Sequence, residues 1–262
     1  MRRLLLSACF SLLLFPLTFS SLASADSRVI SSLGRIEPAG GVVKLAGPSG
    51  LGSVIMELKV QEGDRVVRGD IIAVLDSYPV RKAELTQAQA QLQSARNQLQ
   101  REKKLGKAMA TSAQKLESRE LQVKGAAAAV SAAEAMMELS LVRAPHDAQI
   151  LYVHAFPGER VGVEGVVELG RTDKMYAVAE VYETDIIHVA PGQSATITSP
   201  ALAEPVSGTV ESIGLKVGRL DILGMDPVAQ ADARVIEVNI LLDDVDAVKA
   251  LTNLQVEVEI NP

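Results

Sequence analysis

The chain of 262 residues has no tryptophan, one cysteine, three histidines, four phenylalanines and four tyrosines. The single cysteine, Cys9, lies close to the N-terminus, so the rest of the chain can use neither disulfides nor thiol chemistry. Hydrophobic residues make up 48% of the chain but aromatic residues only 3%, so Val, Ile, Leu and Ala must do most of the packing. This composition favours Val/Ile strands and Ala-rich helices over the core of a large globular enzyme.

An excess of positive charge is also missing, because the formal net charge is −6 and the sequence pI is near 5.2. A nucleic-acid binder is therefore not expected. No G-x-S-x-G nucleophile turn and no P-loop is present, and His146, His154 and His188 are scattered without a metal-ligand spacing. We therefore predict no enzyme activity, no catalytic residue and no metal ligand.

The N-terminus has the three-part layout of an export signal. Arg2 and Arg3 precede an apolar run from Leu4 to Leu22, and Ala23-Ser24-Ala25 fits a cleavage site with small residues. The run is also close to the roughly 20 residues that span a bilayer, so an uncleaved inner-membrane anchor is the alternative. Both alternatives predict that the rest of the chain is exported to the periplasm.

A long helical segment interrupts two strand-rich regions. Residues 77–140 are rich in Ala, Gln, Leu, Glu, Lys and Arg, which favour helix. Two apolar stripes have heptad spacing, and the segment around Gly106 and Ser112 separates them. We predict an antiparallel helical hairpin, with each arm about 40 Å long at 1.5 Å per residue. The stripes are Leu85, Ala88, Leu92, Ala95 and Leu99, followed by Leu116, Val123, Val130 and Met137.

The strand-rich regions on either side of this segment repeat each other. "VQEGDRVVRGDIIAVLD" at Val60–Asp76 matches "AFPGERVGVEGVVELG" at Ala155–Gly170, with Gly63 and Gly158 at equivalent places. Each half alone is too small for a domain, so we predict that the halves interlock around the base of the hairpin. Beyond Met175, five or six short strands separated by Pro-Gly and Asp-rich turns predict a small antiparallel barrel.

The order of these parts resembles the HlyD-like membrane fusion proteins, which are periplasmic adaptors of three-part bacterial exporters. The resemblance is carried by "VQEGDRVVRGDIIAVLD", "LVRAPHDAQILYVHAFPGERV" and "VYETDIIHVAPGQSATI". "GRIEPAGGVVKLAGPSG" and "DPVAQADARVIEVNILLDD" resemble the DevB-type subgroup, whose members work with an ABC transporter. The implied fold class is mainly β, with a coiled-coil hairpin, a split lipoyl/biotinyl-like β-sandwich and a small antiparallel β-barrel.

The resemblance implies six segments along the chain. They are a signal peptide or anchor at 1–25, an N-terminal strand at 26–41 that joins the barrel or a membrane-proximal region, a lipoyl-like first half at 42–76, the hairpin at 77–140, a lipoyl-like second half at 141–174 and the barrel at 175–262. Lipoyl and biotinyl carriers hold a modified lysine where this chain has the hairpin, and Lys44 and Lys59 lack the expected flanking pattern. No cofactor is therefore expected.

One spacing within the hairpin resembles the family's docking pattern, R-x3-L-x6-S/T. Arg101, Leu105 and Ser112 match it at the predicted turn. In the family this tip docks against a TolC-like outer-membrane channel. Arg101 offers a fork of donors, Leu105 an apolar knob, and Ser112 a helix cap or a hydroxyl donor. The alternative is that Arg101 is only a solvated charge, Leu105 only core and Ser112 only a cap.

The resemblance implies three kinds of partner: an inner-membrane ABC transporter with permease and ATPase parts, a TolC-like channel, and further copies of the chain in a ring of six. Little sequence follows the last predicted strand, so contact with the inner-membrane partner is expected from the barrel, from residues 26–39 or from a retained anchor. The rival prediction is an exported module whose barrel binds a small molecule or lipid without contacting a channel.

Overall fold

The computed structural model describes residues 28–47, 52–107, 112–219 and 234–261. The predicted export signal at 1–25 lies outside the described residues, as do residues 48–50 and 226–233 of the two stretches that resemble the DevB-type subgroup. Within the described ranges, no helix combines the length and the apolar character that crossing a membrane requires. The fold is mostly β with one two-helix hairpin, which confirms the predicted fold class.

The hairpin consists of α1 (Tyr78–Lys107) and α2 (Ala113–Glu138), which pack chiefly against each other. Pro79 lies in the first turn of α1, where its missing N–H costs no hydrogen bond. At 1.5 Å per residue, the 30 residues of α1 extend for about 45 Å. No residue of α2 is buried, so the hairpin is an arm with solvent on most of its surface.

The two repeats form one β-sandwich. Strands β2 (Ile55–Leu58), β4 (Ile71–Leu75) and β5 (Leu141–Arg143) make one sheet, and β3 (Arg65–Val66) pairs with β6 (Ala148–Val153) in the other. Every sheet therefore contains strands from both sides of the helical insertion. The buried core between the sheets likewise draws on both repeats, from Ile55, Ile72 and Leu75 to Val142, Ile150 and Val166.

The predicted repeat is visible as a pair of matching hydrogen-bond patterns. The Gly63 N–H donates to the Ile150 carbonyl at 2.8 Å, and the Gly158 N–H donates to the Ile55 carbonyl at 2.8 Å. Both glycines have positive φ, 89° and 92°, which L side chains rarely adopt. The acidic residue after each glycine accepts a hydrogen bond from the backbone N–H three positions earlier. Each half thus clamps a strand of the other half.

Six strands of the described residues form the second β domain, a closed antiparallel barrel. They are β1 (Ile30–Leu45), β7 (Val167–Tyr182), β8 (Ser194–Thr198), β9 (Val206–Arg219), β10 (Arg234–Leu242) and β11 (Gln255–Ile260). They pair in the order β1, β11, β8, β9, β10 and β7, and β7 closes the ring by pairing with β1. A 3-10 helix at Ile186–His188 follows β7. Alternate residues of β11 are buried, as expected for a strand with one face toward the core.

Two long strands connect the barrel to the sandwich. The first part of β1 and the last part of β7 pair within the barrel, whereas Val43–Leu45 pairs with Val167–Leu169 in the sandwich. The predicted boundaries at 41/42 and 174/175 therefore fall inside continuous strands rather than in linkers. A periodic strand pattern marks the strand but not the change of domain along it. The register shifts between Pro38 and Val43, which lets the two-stranded ribbon turn from one domain into the other.

Candidate docking site

The hairpin leaves the sandwich from two paired strands. β4 leads into α1 and α2 leads into β5, and these strands are hydrogen-bonded neighbours. The Leu75 N–H donates to the Ser140 carbonyl at 2.9 Å, so the chain is pinned where it leaves the sandwich and where it returns. Arg143 binds Glu138 at the end of α2 and the Gly69 carbonyl at 2.8 Å. These contacts fix the direction of the arm.

Apolar side chains line the inner faces of both helices, and the most buried of them lie in the part of the hairpin near the sandwich. Ala88 and Leu92 are buried at 8% and 9% exposure, and Leu85, Ala95 and Leu99 are partly buried on the same stripe of α1. The predicted stripe of α2 is partly buried as well, at Leu116, Val123, Val130 and Met137. The heptad spacing therefore identified the inner faces of both helices.

Near the tip, polar contacts join the helices beside the partly buried Leu99 and Leu116. Glu102 is only 5% exposed, and its carboxylate lies 3.4 Å from the Lys115 ammonium on α2. Two further contacts join the helices: Arg119 donates to Gln98 at 2.8 Å, and Lys103 lies 3.2 Å from Glu120. Glu102 was not predicted as an inner-face residue, although its place three residues after Leu99 continues the heptad.

Arg101 and Leu105 lie in the last two turns of α1. They are four residues apart and therefore lie on the same side of the helix. Arg101 is exposed, and Leu105 is 46% exposed. Leu105 is thus not a core residue, which contradicts the alternative reading of that position. Residues 108–111, between α1 and α2, lie outside the described ranges.

Ser112 is the N-cap of α2. Its backbone is extended, and its hydroxyl accepts a hydrogen bond from the Lys115 N–H at 3.2 Å. This is the interaction that N-cap serines provide, because the first N–H groups of a helix have no partner within the helix. The cap is one of the two roles predicted for Ser112. Its second predicted role, a hydrogen bond to a partner, stays a prediction.

The end of α1 is basic. Lys104 and Lys107 lie in its last turn, where positive charge is favourable next to the helix C-terminus. Among the residues that the structure describes, Arg101, Lys104 and Lys107 form no ion pair. The arrangement of exposed cations, an exposed leucine and a capped helix start can bind a protein surface.

Comparisons with known proteins agree with this architecture. Residues 77–140 match the family model described as "RND MFP, alpha-helical hairpin domain". An uncharacterized protein of Haemophilus influenzae is 26% identical over 228 residues, which cover 86% of this chain and 56% of that protein. The multidrug resistance protein MdtA of Pectobacterium carotovorum is 26% identical over 235 residues, which cover 83% of this chain and 54% of MdtA.

Solved structures share the fold. A MacA-MexA chimera that contains the MexA α-hairpin of Pseudomonas aeruginosa is 22% identical with a TM-score of 0.72, covering 90% of this chain and 82% of the chimera. The membrane fusion protein Spr0693 of Streptococcus pneumoniae is 16% identical with a TM-score of 0.64, covering 89% of this chain and 98% of Spr0693. The chain spans about half the length of the curated relatives it matches. The predicted likeness to membrane fusion proteins is confirmed, whereas the HlyD-like and DevB-type assignments stay predictions.

Proposed function

We propose that this chain, which has the fold and the hairpin domain of the membrane fusion proteins, is the periplasmic adaptor of a three-part exporter. It would link an inner-membrane transporter to a TolC-like outer-membrane channel through the tip of the hairpin. The observation that carries this proposal is the exposure of Arg101 and Leu105 on one side of α1, at the end of an arm whose helices contact chiefly each other.

The shape of the arm supports a bridging role. An arm of about 45 Å extends from a base that Arg143 and the β4–β5 pair fix in direction. A hairpin that served only its own domain would pack against that domain and bury a face. Here α2 buries no residue, so the arm contributes little to the fold and its surface is available to partners.

The charge of the tip supports a protein partner. The chain as a whole has a net charge of −6, yet the last turns of α1 carry Arg101, Lys104 and Lys107 without an ion pair in the described part of the chain. A guanidinium can bind a carboxylate through two parallel hydrogen bonds, which gives geometric specificity. We therefore expect the docking surface of the channel to be acidic.

The other partners are proposed from the resemblance to the family. An ABC transporter with permease and ATPase parts is proposed from the DevB-type likeness, and a ring of six copies from the family. The name of MdtA, a multidrug resistance protein, supports efflux as the process. Location in the periplasm rests on the predicted signal at 1–25 and on the same family.

The rival function, a barrel that binds a small molecule or lipid, loses support. The barrel has six strands, and barrels need about eight before the interior can hold one small ligand. Its interior is filled with aliphatic side chains that are fully buried, among them Ile36, Met175, Ile197 and Ile240. Neighbouring genes for an ATPase and a permease would favour the adaptor over the ligand-binding module.

The docking proposal is tested by introducing negative charge at the tip. Arg101→Asp and Leu105→Asp should each abolish export and co-purification of the outer-membrane channel from the native host. Folding, judged by circular dichroism, and delivery to the periplasm should stay unchanged. Arg96→Asp, an exposed arginine earlier on α1, and Leu121→Asp, an exposed leucine on α2, are the matched controls. Wild-type export by both tip variants would contradict the proposal.

A further inference from the structure

Three potential metal ligands meet in the sandwich, outside the hairpin. One ligand atom from each of His154, Glu164 and Glu168 lies within 4.8 Å of the others. The His154 Nε2 is 3.0 Å from a Glu168 oxygen, and both side chains are 19% exposed. Lys44 completes the cluster, because its ammonium binds Glu164 and lies 3.8 Å from Glu168. We propose that this cluster binds a divalent transition-metal cation of the Zn²⁺ type, which displaces Lys44.

The backbone holds the two half-buried ligands in place. Glu168 pairs directly with Lys44 across β7 and β1. His154 follows β6, and its N–H donates to the Val166 carbonyl at 2.9 Å, which sets it beside the start of β7. The His154 ring also packs edge-on against Tyr152, with 4.9 Å between ring centroids. A metal site gains affinity when its ligands are already oriented in this way.

The turn that carries Glu164 is fixed against β1. Gly165 has a φ of +83°, and a Cβ there would meet the Leu45 carbonyl oxygen at 2.8 Å, so the turn approaches β1 as closely as a glycine allows. The next N–H, of Val166, donates to that same carbonyl at 2.8 Å. The backbone next to Glu164 is therefore held, while its exposed side chain can move to meet a cation.

The donor set indicates the class of cation. One imidazole nitrogen with two carboxylates is a ligand set that Zn²⁺ accepts, whereas Mg²⁺ and Ca²⁺ prefer oxygen ligands alone. Zn²⁺ binds such atoms at about 2.0–2.2 Å, so the ligand atoms must approach to about 3–4 Å of each other. His154 and Glu168 already satisfy this spacing, and Glu164 has to move by only about 1 Å. Three protein ligands leave a fourth position for water or another ligand.

Lys44 occupies the place that a bound cation would take. In the structure its ammonium supplies the positive charge that the two carboxylates need, as a bound cation would. Its side chain is 54% exposed, so it can withdraw into solvent when a doubly charged ion arrives. Lys44 therefore competes with the metal. Removing its charge should strengthen binding, whereas removing an imidazole or carboxylate ligand should weaken it.

Metal binding is measured on the full chain after treatment with a chelator, by calorimetric titration with Zn²⁺ alone. We expect one saturable site per chain. His154→Gln and Glu168→Gln should each lower the affinity at least tenfold, and Lys44→Met should raise it severalfold. His146→Gln and His188→Gln, at the other two histidines, should leave it unchanged. Thermal melting without metal shows whether each variant is folded.

The outcomes separate the proposal from adventitious binding. Absence of saturable binding overturns it, and so does unchanged affinity in folded His154→Gln. Weaker or equal binding by Lys44→Met overturns the competition between lysine and metal. Co²⁺ provides a second readout, because its visible absorption should report coordination in the wild type and be lost in His154→Gln. None of these measurements needs a channel, so they are independent of the docking proposal.

Discussion

Next to the sandwich, the two helices of the hairpin pack through the buried Ala88 and Leu92. Near the tip, Leu99 and Leu116 are only partly buried, and polar contacts of Glu102, Lys103 and Arg119 join the helices. Both halves belong to the same pair of helices and follow the same heptad. Apolar packing is the larger source of stability. Burying a leucine side chain contributes about 1.5–3 kcal/mol, whereas an exposed ion pair contributes about 0–1 kcal/mol and the attraction within a buried one is offset by desolvation.

The difference indicates a division of roles along the arm. Apolar packing is non-directional and holds the helices together, whereas polar pairs fix which residue faces which. A fixed register near the tip sets the direction in which Arg101 and Leu105 point. We infer that the half near the sandwich supplies stability and that the half near the tip supplies the orientation needed for docking.

The largest effect is expected from Leu92→Ala in the apolar half. The change leaves a cavity between the inner faces of the two helices. We expect the free energy of unfolding the hairpin to fall by about 2 kcal/mol. Helix circular dichroism at 222 nm during urea unfolding measures it, because α1 and α2 hold all the α-helix in the described ranges. Leu121→Ala is the control: this leucine is 60% exposed, and its loss should cost less than about 0.5 kcal/mol. An equal decrease in the free energy of unfolding in the two variants would contradict the assignment of Leu92 to the inner face of the hairpin.

The half of the hairpin near the sandwich, which packs through Ala88 and Leu92, could be predicted best from the sequence. Heptad spacing is a local property, so Ala88 and Leu92 could be assigned to the inner face from their positions alone. The repeat that contains Gly63 and Gly158 could also be predicted from the sequence, since the turn itself requires glycine at positive φ. The polar half was not predicted, because a charged residue at a heptad position counts against burial until its partner, here Lys115, is known.

Features that depend on strand pairing could not be predicted. β1 and β7 each run through two domains, and only the pairing of Val43 with Leu169 shows where the barrel gives way to the sandwich. His154 and Glu168 lie 14 residues apart in sequence, too far for a local ligand motif. They meet because β6 turns back onto β7, and Lys44 joins them from more than 100 residues away.

A second, smaller effect is expected from Glu102→Leu in the polar half. An apolar side chain on this inner face should stabilise the hairpin by about 1 kcal/mol, because it removes a buried carboxylate while Lys115, whose side chain is 57% exposed, keeps its charge in solvent. The same change should weaken co-purification of the channel, since the Glu102–Lys115 contact no longer fixes the register. Urea unfolding and the pull-down measure the two effects on one protein.

Glu117→Leu is the matched control, because Glu117 is an exposed acid in the same half of the hairpin. It should change neither stability nor docking appreciably. A Glu102→Leu variant that is more stable and docks normally would show that register near the tip does not matter for docking.

Ser112→Ala should cost about 1 kcal/mol of hairpin stability, because the Lys115 N–H loses its acceptor. Ser112→Asn restores a cap without adding charge at the tip, so stability should return to about the wild-type level. Export then separates the two roles predicted for this residue. Export restored together with stability assigns Ser112 to the cap alone, whereas a stable Ser112→Asn protein without export indicates that the hydroxyl contacts the channel.

The smallest effect is expected at Lys103 and Glu120, whose side chains are 53% and 46% exposed. A double-mutant cycle with alanine at each position should give a coupling of about 0.5 kcal/mol or less, decreasing further in 1 M salt. The same cycle at Glu102 and Lys115 should give a larger coupling that salt screens less, because the Glu102 side chain is only 7% exposed. Equal couplings with equal salt dependence would mean that the Glu102–Lys115 pair holds the two helices together no better than the exposed Lys103–Glu120 pair. The register near the tip would then have to be set by the turn between the helices.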